Sequence, residues 1–398
     1  MKQGYKQSPL GIIPEDWEVK RLGEIGEVLM CKRIMKYQTD SCGDIPFFKI
    51  GTFGGKPDAF ISRKVFDEYK TKYSYPKIGD VLISAAGTIG RTVIFNGTPS
   101  YYQDSNIVWI DNDNKQVLNK YLYYYYSTIN WITDTGTIPR LYNGALKAIQ
   151  IPTPPIEQQT RIVSILELWD TTIAKQTALI EKLTLRKRGL MQQLLTGKKR
   201  LEGFSGEWKE VRLGEVAFVI GGGTPNTEIS DYWSGDIPWF TPSEISEHKY
   251  VNTSERTISE KGLNDSSAKL LPQGTILFTS RATIGAKAIL TTEATTNQGF
   301  QSFVVNNENN NEFIYYYLDI ILNEIKQKAS GSTFPEVSAE SLRKILIKIP
   351  DINEQTAIAS VLVNADKEIE IQKQKLAAMQ EQKKGLMQVL LTGKKRIR

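Results

Sequence analysis

The chain has 398 residues, 40% of them hydrophobic, and a formal net charge of +6 at pH 7. This length predicts two or three domains, and the charge permits an acidic partner such as DNA without requiring one. Two cysteines, Cys31 and Cys42, exclude a disulfide framework. A single histidine, His248, excludes histidine-rich metal sites and nuclease sites built on paired histidines. Because neither a signal-peptide core nor a long apolar run is visible, we expect a cytoplasmic protein.

Short apolar runs separated by Gly, Pro, Asn and Thr fill residues 1–153 and predict short strands. These runs are DVLIS, TVIF and NIVWI, which begin at Asp80, Thr92 and Asn106. The sequence NKYLYYYYSTINWI predicts a helix over residues 119–132. The first 153 residues therefore predict an α+β domain with a mainly antiparallel sheet.

A long helix is predicted over residues 156–195, inside a segment that extends from residue 154 to residue 203. Its apolar positions are spaced alternately by four and three residues, which predicts a coiled-coil seam; the alternative is an amphipathic helix that packs on its own domain. At 1.5 Å per residue the helix would be roughly 60 Å long. The predicted seam comprises Ile162, Leu166, Trp169, Ile173, Gln176, Ile180 and Leu183, and continues through Lys187, Leu190 and Leu194.

The rest of the chain repeats this organisation. The strand-like runs TILFTS, AKAIL and QSFVV and the helical run NEFIYYYLDIILNEI predict a second α+β domain over residues 204–349, and a second long helix occupies residues 350–398. The sequence GLMQQLLTGKKR, which begins at Gly189, returns as GLMQVLLTGKKR at Gly385, so the chain is a tandem internal duplication. The second predicted seam comprises Ile358, Leu362, Ala365, Ile369, Gln372, Leu376 and Met379, and continues through Lys383, Leu386 and Leu390.

Both seams carry glutamine at the fifth position and lysine at the eighth. A parallel pair would place the two seam lysines face to face, so we predict that the helices form an antiparallel coiled coil. This pairing would place Gln176 opposite Leu376 and Gln372 opposite Ile180. It would also relate the two halves by an approximate two-fold axis.

The sequence shows little that could support catalysis. Gly197 and Gly393 are predicted to be glycines that end the long helices, because the first glycine of a P-loop is missing from both copies. Asp58 and Glu68 fit the loose PD…ExK nuclease pattern, but the second half has no counterpart, so a solvated charged loop is the simpler interpretation. We therefore predict a binding protein with no catalytic residue and no metal site.

Polar residues in the loops beside the strands are the candidates for DNA contacts. Arginine suits phosphates and guanine, Asn and Gln can read adenine, and Tyr can pack on a sugar or a thymine methyl group; for any one residue, turn formation is the alternative. These loops differ between the copies while the frame is kept, as expected if each half reads a different sequence. The candidates are Lys32, Arg33, Thr88, Arg91, Gln103, Asn106, Arg140, Tyr142 and Asn143 in the first half, and Thr224, Asn226, Arg281, Thr283, Asn297, Gln298 and Gln301 in the second.

Basic residues also cluster near the ends of the long helices. They could contact DNA phosphates, or they could form a solvated helix face. They are Arg186, Lys187, Arg188, Lys198, Lys199, Arg200, Lys383, Lys384, Lys394, Lys395, Arg396 and Arg398.

Two variable domains, each followed by a long helix that P-x-x-E-Q opens and GLMQ-x-LLTGK-[KR]-R closes, resemble the specificity subunit of Type I restriction–modification systems. The frame W…RLGE, DIP[FW] and TIG is similar to that family's target recognition domains. The resemblance implies that each domain reads one half of a bipartite, asymmetric site in double-stranded DNA and that the helices set the gap. It also implies that two methyltransferase subunits dock for adenine methylation and that restriction motor-nuclease subunits join them.

The resemblance implies no cofactor in this chain, because S-adenosylmethionine, ATP and Mg²⁺ would act in the partner subunits. It does not transfer single base-reading residues, since those regions vary within the family. Two alternatives stay open: a tandem-repeat scaffold that binds protein, and a stand-alone Mg²⁺-dependent nuclease that uses Asp58 and Glu68.

Overall fold

The computed structural model describes residues 3–131, 140–245, 248–281, 283–331 and 335–396. It divides into two compact units: residues 1–177 with 375–398 form the first, and residues 178–374 form the second. Each unit therefore combines one α+β domain with a part of each long helix. Among the described residues, no helix is both long enough and apolar enough to cross a membrane.

The first unit contains a four-stranded antiparallel sheet in the order β4-β10-β7-β8 and a three-stranded sheet in the order β6-β5-β9, in which β5 and β9 run parallel. The smaller pairs are β1-β2 and β11-β3. Its strands are β1 (Tyr5–Ser8), β2 (Gly11–Pro14), β3 (Glu18–Arg21), β4 (Val28–Met30), β5 (Ile45–Phe48), β6 (Phe60–Ile61), β7 (Val81–Ser84), β8 (Thr92–Ile94), β9 (Tyr101–Tyr102), β10 (Ile107–Ile110) and β11 (Gln150–Thr153). Its helices are α1 (Leu22–Ile25), α2 (Arg63–Lys72), α3 (Asn119–Tyr126), α4 (Asn143–Ala148) and the first part of α5 (Ile156–Leu194).

The second unit repeats this sheet as β13-β20-β17-β18 and extends it by β15, which pairs parallel to β18; a second sheet has the order β16-β14-β19, and β12 pairs with β21. Its strands are β12 (Lys209–Arg212), β13 (Ala217–Gly221), β14 (Trp233–Phe240), β15 (Tyr250–Val251), β16 (Arg256–Ile258), β17 (Ile276–Phe278), β18 (Lys287–Leu290), β19 (Thr295–Thr296), β20 (Gln301–Val305) and β21 (Leu346–Ile349). Its helices are α6 (Leu213–Val216), α7 (Glu260–Asn264), α8 (Asn311–Ile320), α9 (Leu322–Gln327), α10 (Ala339–Arg343) and the first part of α11 (Ile352–Leu390). The shared strand order confirms the duplication and the mainly antiparallel α+β fold.

Two predicted helices end earlier than the sequence pattern indicated. The first, α3, ends at Tyr126 and does not reach residue 132, because the Ser127 and Thr128 hydroxyls donate to the carbonyls of the preceding turn at 2.6 and 2.7 Å. In the second domain the helical run breaks at Ile321 into α8 and α9. The break redirects the chain so that Ile325 is fully buried. Tertiary packing thus overrides the local helical pattern.

The beginning of each long helix packs on its own domain. In the first unit, Ile162 and Leu166 of α5 share one apolar core with Trp17 and Tyr121. In the second unit, Ile358 and Leu362 of α11 join the corresponding core. At about 2 kcal/mol for each fully buried aliphatic side chain, this contact anchors the helix firmly. The predicted alternative, a helix packed on its own domain, therefore describes this stretch of the seam.

Within each unit the two long helices run antiparallel. In the second unit, Lys187 and Arg186 of α5 pair with Asp366 and Glu368 of α11 at 2.5 and 2.6 Å. Arg200, which follows α5, pairs with Glu354 near the beginning of α11, so residue numbers rise along one helix as they fall along the other. In the first unit, the core around Ile162 and Leu166 takes in Leu390 from the end of α11, and Asp170 pairs further along with Lys383 at 2.5 Å. The predicted antiparallel orientation is confirmed.

The predicted seam positions are covered along both helices, although which residues face each other at the centre of the seam stays a prediction. Ile162, Leu166, Gln176, Leu183, Ile358, Leu362, Ala365 and Ile369 are buried, and Trp169, Ile173, Ile180, Gln372, Leu376 and Met379 are partly buried.

Candidate nucleic-acid interface

The repeated helix-end motif first supplies two helix stops. Gly197 and Gly393 have φ angles of +69° and +72°, which lie in the left-handed region that favours glycine. A Cβ atom at Gly393 would also lie 2.5 Å from Cδ of Pro14. Both glycines therefore end their helices as predicted, and no P-loop geometry is needed to explain them.

The arginine that closes the first copy of the motif binds a buried carboxylate. Arg200 donates through Nε and Nη2 to the two oxygens of Glu354, each at 2.6 Å. Glu354 is fully buried, and the Trp208 indole donates to the same carboxylate at 3.2 Å. This two-pronged contact fixes the end of α5 against the beginning of α11.

The second copy makes the corresponding contact with other residues. Arg396 donates to Asp16 at 2.8 Å, and Gln158 donates to the other oxygen of Asp16 at 2.6 Å. The Trp17 indole donates to Gln158 at 2.9 Å, as Trp208 does to Glu354. The closing arginines, predicted to form part of the basic clusters, therefore help to hold each unit together. Arg398, also predicted there, lies outside the described residues.

The opening motif of the helices needs a correction. In the first helix the motif P-x-x-E-Q ends at Gln158, but the glutamine that corresponds to Gln355 of the second helix is the next residue, Gln159. Each of these two corresponding glutamines is buried, accepts one backbone N–H at 2.8 or 2.9 Å, and donates to the carbonyl of the motif's first proline, Pro154 or Pro350, at 2.8 or 3.0 Å. These contacts satisfy buried polar groups where the helix begins. The alignment of residues 154–166 with residues 350–362 already places Gln159 opposite Gln355, whereas the motif P-x-x-E-Q points to Gln158.

The seam lysines belong to a duplicated cluster that sequence reasoning missed. In the first unit the Tyr124 hydroxyl donates to Asp170 at 2.6 Å, and Lys383 pairs with Asp170 at 2.5 Å. In the second, Tyr316 donates to Asp366, and Lys187 pairs with Asp366 at 2.5 Å. Burial, and then the neighbouring carboxylate, raise the pKa of both tyrosines, so their hydroxyls stay protonated. Each lysine has a counter-charge on the other helix.

Four strand ends meet at one edge of the first sheet. Because neighbouring strands are antiparallel, the ends of β4 and β7 lie beside the beginnings of β10 and β8. The first loop edge is defined by residues 31–36, 85–91 and 103–106, which leave the sheet here. An isolated bridge between Ala86 and Arg140 brings a further segment to the same edge. The structure thus gathers Lys32, Arg33, Thr88, Arg91, Gln103, Asn106 and Arg140, and Tyr142 and Asn143 follow directly at the exposed beginning of α4.

Some of these candidates are engaged within the fold. Arg91 donates to the carbonyl of Phe53 at 2.8 Å, and the Gln103 side chain accepts the N–H of Ile50 at 2.9 Å. Both contacts are made to a loop that is distant in sequence, so the two side chains have a structural role in tertiary packing that differs from local turn formation. Beneath the edge, Cys31 is buried and burial raises its pKa to about 12, which identifies it as a packing residue.

All four basic residues of the first loop edge are exposed: Lys32, Arg33, Lys36 and Arg91. Arg33 pairs through Nε with Asp104 at 2.9 Å, and its side chain is 65% exposed. Lys32 lies with its ammonium 5.3 Å from the centre of the Tyr73 ring. Both residues line a concavity of about 670 Å³ together with Asp104 and Tyr73.

The second unit forms the corresponding edge from β13, β20, β17 and β18. The second loop edge is defined by residues 222–226, 280–286 and 297–300, excluding the undescribed residue 282. The Thr224 hydroxyl donates to the side-chain oxygen of Gln298. Arg281 donates to the backbone carbonyl of Gln298 at 3.2 Å, and its Nε lies 3.6 Å from Glu336. Gln301 has a buried side-chain oxygen without a hydrogen bond in the described structure.

Turn formation accounts for two other candidates of the second edge. Asn226 and Asn297 accept the backbone N–H two residues further on, at 3.0 and 2.8 Å. Thr283 is exposed. Gly222 and Gly223 permit close packing, because a Cβ atom would lie 2.1 Å from the carbonyl oxygen of Asn297 or 2.3 Å from the backbone of Ser267. Sequence reasoning located this loop without giving the reason for its glycines.

The nuclease-like pair lies away from any cation-binding arrangement. Asp58 and Glu68 are both exposed, and Asp58 pairs with Lys49 at 2.9 Å. Within the described parts of the chain, no group of histidine, cysteine, aspartate and glutamate residues could hold a metal ion. Both side chains are solvated, but the predicted charged loop is correct only for Asp58, because Glu68 lies on α2.

Comparison with known proteins identifies the family. The family described as "Type I restriction modification DNA specificity domain" matches residues 14–185 and 205–381. The chain belongs to this family and carries its domain twice.

The similar proteins have the same type of name. A putative type I restriction enzyme specificity subunit from Haemophilus influenzae is 62% identical over 168 residues, which are 42% of this chain and 44% of that protein. The MjaIX specificity subunit from Methanocaldococcus jannaschii is 39% identical over 42% of this chain and 40% of its own length. The chain thus spans less than half of these two relatives. The putative MjaX subunit from the same organism is 27% identical over 100% of this chain and 98% of its own length.

Solved structures show the same fold. The S subunit of a Type I restriction–modification system from M. genitalium has a TM-score of 0.55 at 16% identity, covering 94% of this chain and 96% of that one. A chain from a structure of complex assembly in the type I system has a TM-score of 0.63 at 18% identity, covering 96% and 99%. At such low identity these likenesses establish the fold alone.

Proposed function

We propose that this chain is the non-catalytic, DNA-reading specificity subunit of a Type I restriction–modification complex. Each unit reads one half of a bipartite, asymmetric site through its loop edge, and the long helices set the gap between the half-sites. One observation supports this function most directly: the two copies share one sheet frame but present different polar side chains at the same edge. A protein-binding scaffold would not need arginine, glutamine and asparagine gathered at both edges.

Domain boundaries follow from this function. Residues 1–153 and 204–349 are the two target recognition domains, and residues 154–203 and 350–398 are the spacer segments. The Arg396–Asp16 pair and the Tyr–Asp–Lys clusters fasten the spacers to the recognition domains within each unit, and the Arg200–Glu354 pair joins the two spacers within the second unit. Such fastening supports the proposed role of the long helices in setting the gap between the half-sites.

The remaining basic residues near the helix ends are suited to phosphate contacts. Lys198, Lys199, Lys394 and Lys395 are exposed, whereas the neighbouring arginines are paired. Lysines on such a surface strengthen binding to any DNA sequence and make it depend on salt. Base reading then rests on the loop edges.

The partner subunits of this chain catalyse the reactions of the complex. Methyltransferase subunits bind S-adenosylmethionine and methylate adenine, and motor-nuclease subunits supply the ATP- and Mg²⁺-dependent restriction. The complex acts in the cytoplasm, where its DNA substrate lies.

A binding measurement tests this function. The full chain, purified with its methyltransferase partner, is mixed with a pool of random DNA duplexes at several salt concentrations, and the bound duplexes are sequenced. We expect enrichment of a bipartite motif and an affinity that falls steeply between 50 and 200 mM salt. Binding without salt dependence or motif would support the scaffold alternative, and Mg²⁺-dependent cutting by the chain alone would support the nuclease alternative.

A further inference from the structure

The two loop edges can be compared residue by residue, because the strand pairing fixes the register of each. Ser84 in the first unit pairs with Ile107, and Thr279 in the second pairs with Phe300. Ser84 and Thr279 each donate their hydroxyl to the backbone carbonyl four residues further on, at 2.5 Å. Ile107 and Phe300 therefore occupy the same place in the duplicated frame.

The next strand extends this correspondence. Val108 and Gln301 directly follow Ile107 and Phe300. Val108 pairs with Met30, the last residue of β4, and Gln301 pairs with Gly221, the last residue of β13. Three residues beyond these strand ends lie Arg33 and Thr224. These two side chains therefore occupy equivalent positions.

Their partners correspond as well. Asp104 and Gln298 are each the second residue after the short parallel strand, β9 or β19. Arg33 pairs with Asp104 at 2.9 Å, and Thr224 donates to the side-chain oxygen of Gln298. The same two positions therefore hold an ion pair in the first unit and a neutral hydroxyl–amide pair in the second.

Folding stability does not explain this exchange. The Arg33 side chain is 65% exposed although Asp104 is only 16% exposed, so solvent screens the ion pair from the arginine side and limits its contribution to stability. Gln298 is exposed too. The backbone frame around both pairs is retained. A change of charge and hydrogen-bonding pattern at one accessible position of a duplicated frame is what two half-sites of different sequence require.

The chemistry of each pair matches a different base. Arginine forms two hydrogen bonds with O6 and N7 of guanine, and a carboxylate that holds its Nε fixes the direction of the two terminal nitrogens. Glutamine accepts from N6 and donates to N7 of adenine, and its oxygen can accept from a hydroxyl at the same time.

We propose that this register-matched pair is a base-reading position in both units. Arg33, held by Asp104, reads a guanine in the half-site of the first unit. Gln298, held by Thr224, reads an adenine in the half-site of the second unit. This assignment rests on the proposed function and adds to it which residues read and which base each one takes.

Modified bases test the assignment on the intact complex. Once the motif is known, each guanine of the first half-site is replaced singly by 7-deazaguanine, which lacks the N7 acceptor, and affinity is measured. We expect one position at which the native complex loses affinity roughly 10- to 100-fold. The Arg33→Gln complex should show no such loss at that position. Absence of a sensitive guanine, or an equal loss in the variant, would overturn the assignment.

Matched variants separate base reading from charge. Lys32→Gln removes a neighbouring positive charge and should weaken binding to all duplexes alike while keeping the sensitive guanine. The double exchange Arg33→Thr with Asp104→Gln installs the second unit's pair in the first and should change the preferred base from guanine to adenine. An unchanged second half-site shows that the double variant is folded. An unchanged preference in the first half-site contradicts the proposal.

Different results would contradict the proposed function and the base-reading assignment. If the native complex selects no bipartite motif from random duplexes, the proposed function itself is wrong. If it selects a motif whose first half shows no dependence on guanine N7, only the base-reading assignment is wrong. The corresponding probe for Gln298 is 7-deazaadenine in the second half-site, where one sensitive position is expected and complete insensitivity contradicts the assignment.

Discussion

Glu354 shows how single residues tie a long helix to its domain. Its carboxylate is fully buried and receives hydrogen bonds from Arg200 and Trp208. A buried carboxylate that loses its counter-charge destabilises the folded state strongly, because no water replaces the lost partner. The closing arginine of the repeated motif therefore acts on stability first.

The substitution Arg200→Met tests this role. It removes both charge-assisted hydrogen bonds to Glu354 and should lower the free energy of unfolding by about 3 kcal/mol, measured by urea denaturation of the full chain. Lys199→Met is the matched control, since Lys199 is exposed and neighbouring, and should change stability by less than about 0.5 kcal/mol. Equal stability of the two variants would show that the Arg200 contact does not hold the helix end.

At this scale the sequence predicted residues with a local role better than residues with distant partners. Gly197 and Gly393 were predictable because a glycine after a helical pattern is a local signal. Asp170 was not predictable as the partner of Lys383, because the two lie on different helices far apart in the chain. Among the candidate DNA contacts, only the structure shows that Arg91 donates to a backbone carbonyl whereas Arg33 pairs with the side chain of Asp104.

At the scale of elements, the structure gives the seam lysines a different role from the predicted one. Repulsion between lysines in a parallel pair led to the antiparallel prediction, and within each unit the structure shows each lysine paired with an aspartate of the other helix instead. Tyr124 and Tyr316 extend these pairs to the helices α3 and α8. Each cluster therefore joins three helices, and it makes the position of each recognition domain on the spacer specific.

A double-mutant cycle measures this coupling in the first unit. We expect Asp170→Asn and Lys383→Met to interact by about 1 kcal/mol in the free energy of unfolding, because Lys383 is mostly buried and Asp170 is partly exposed. The equivalent cycle with Asp366→Asn and Lys187→Met serves as an internal comparison in the second unit. Strictly additive effects in both cycles would mean that the ion pairs do not couple the helices.

Element boundaries were the weakest part of the sequence-based prediction. The tyrosine-rich helix α3 was predicted to extend to residue 132, and the run after Asn311 was predicted as one helix. Ser127 and Thr128 end the first, and burial of Ile325 after a break redirects the second. Strands were predicted more accurately, because each apolar run is short and bounded by turn residues.

At the scale of the molecule, duplication is the feature from which the function follows. Repetition in the sequence predicted two equivalent domains, and the structure gives both the same strand order and the same loop edge. Polar side chains at those edges differ between the copies, such as Arg33 in one and Thr224 in the other. A frame that is kept while its exposed polar groups change is suited to reading two different DNA sequences.

Domain exchange tests whether each recognition domain reads its own half-site. Residues 204–349 are replaced by the corresponding domain of a related chain, and methylated adenines are mapped by sequencing in cells that carry the hybrid with its methyltransferase partner. We expect one half of the methylated motif to change while the other half and the gap stay the same. A change in both halves, or in neither, would contradict this expectation.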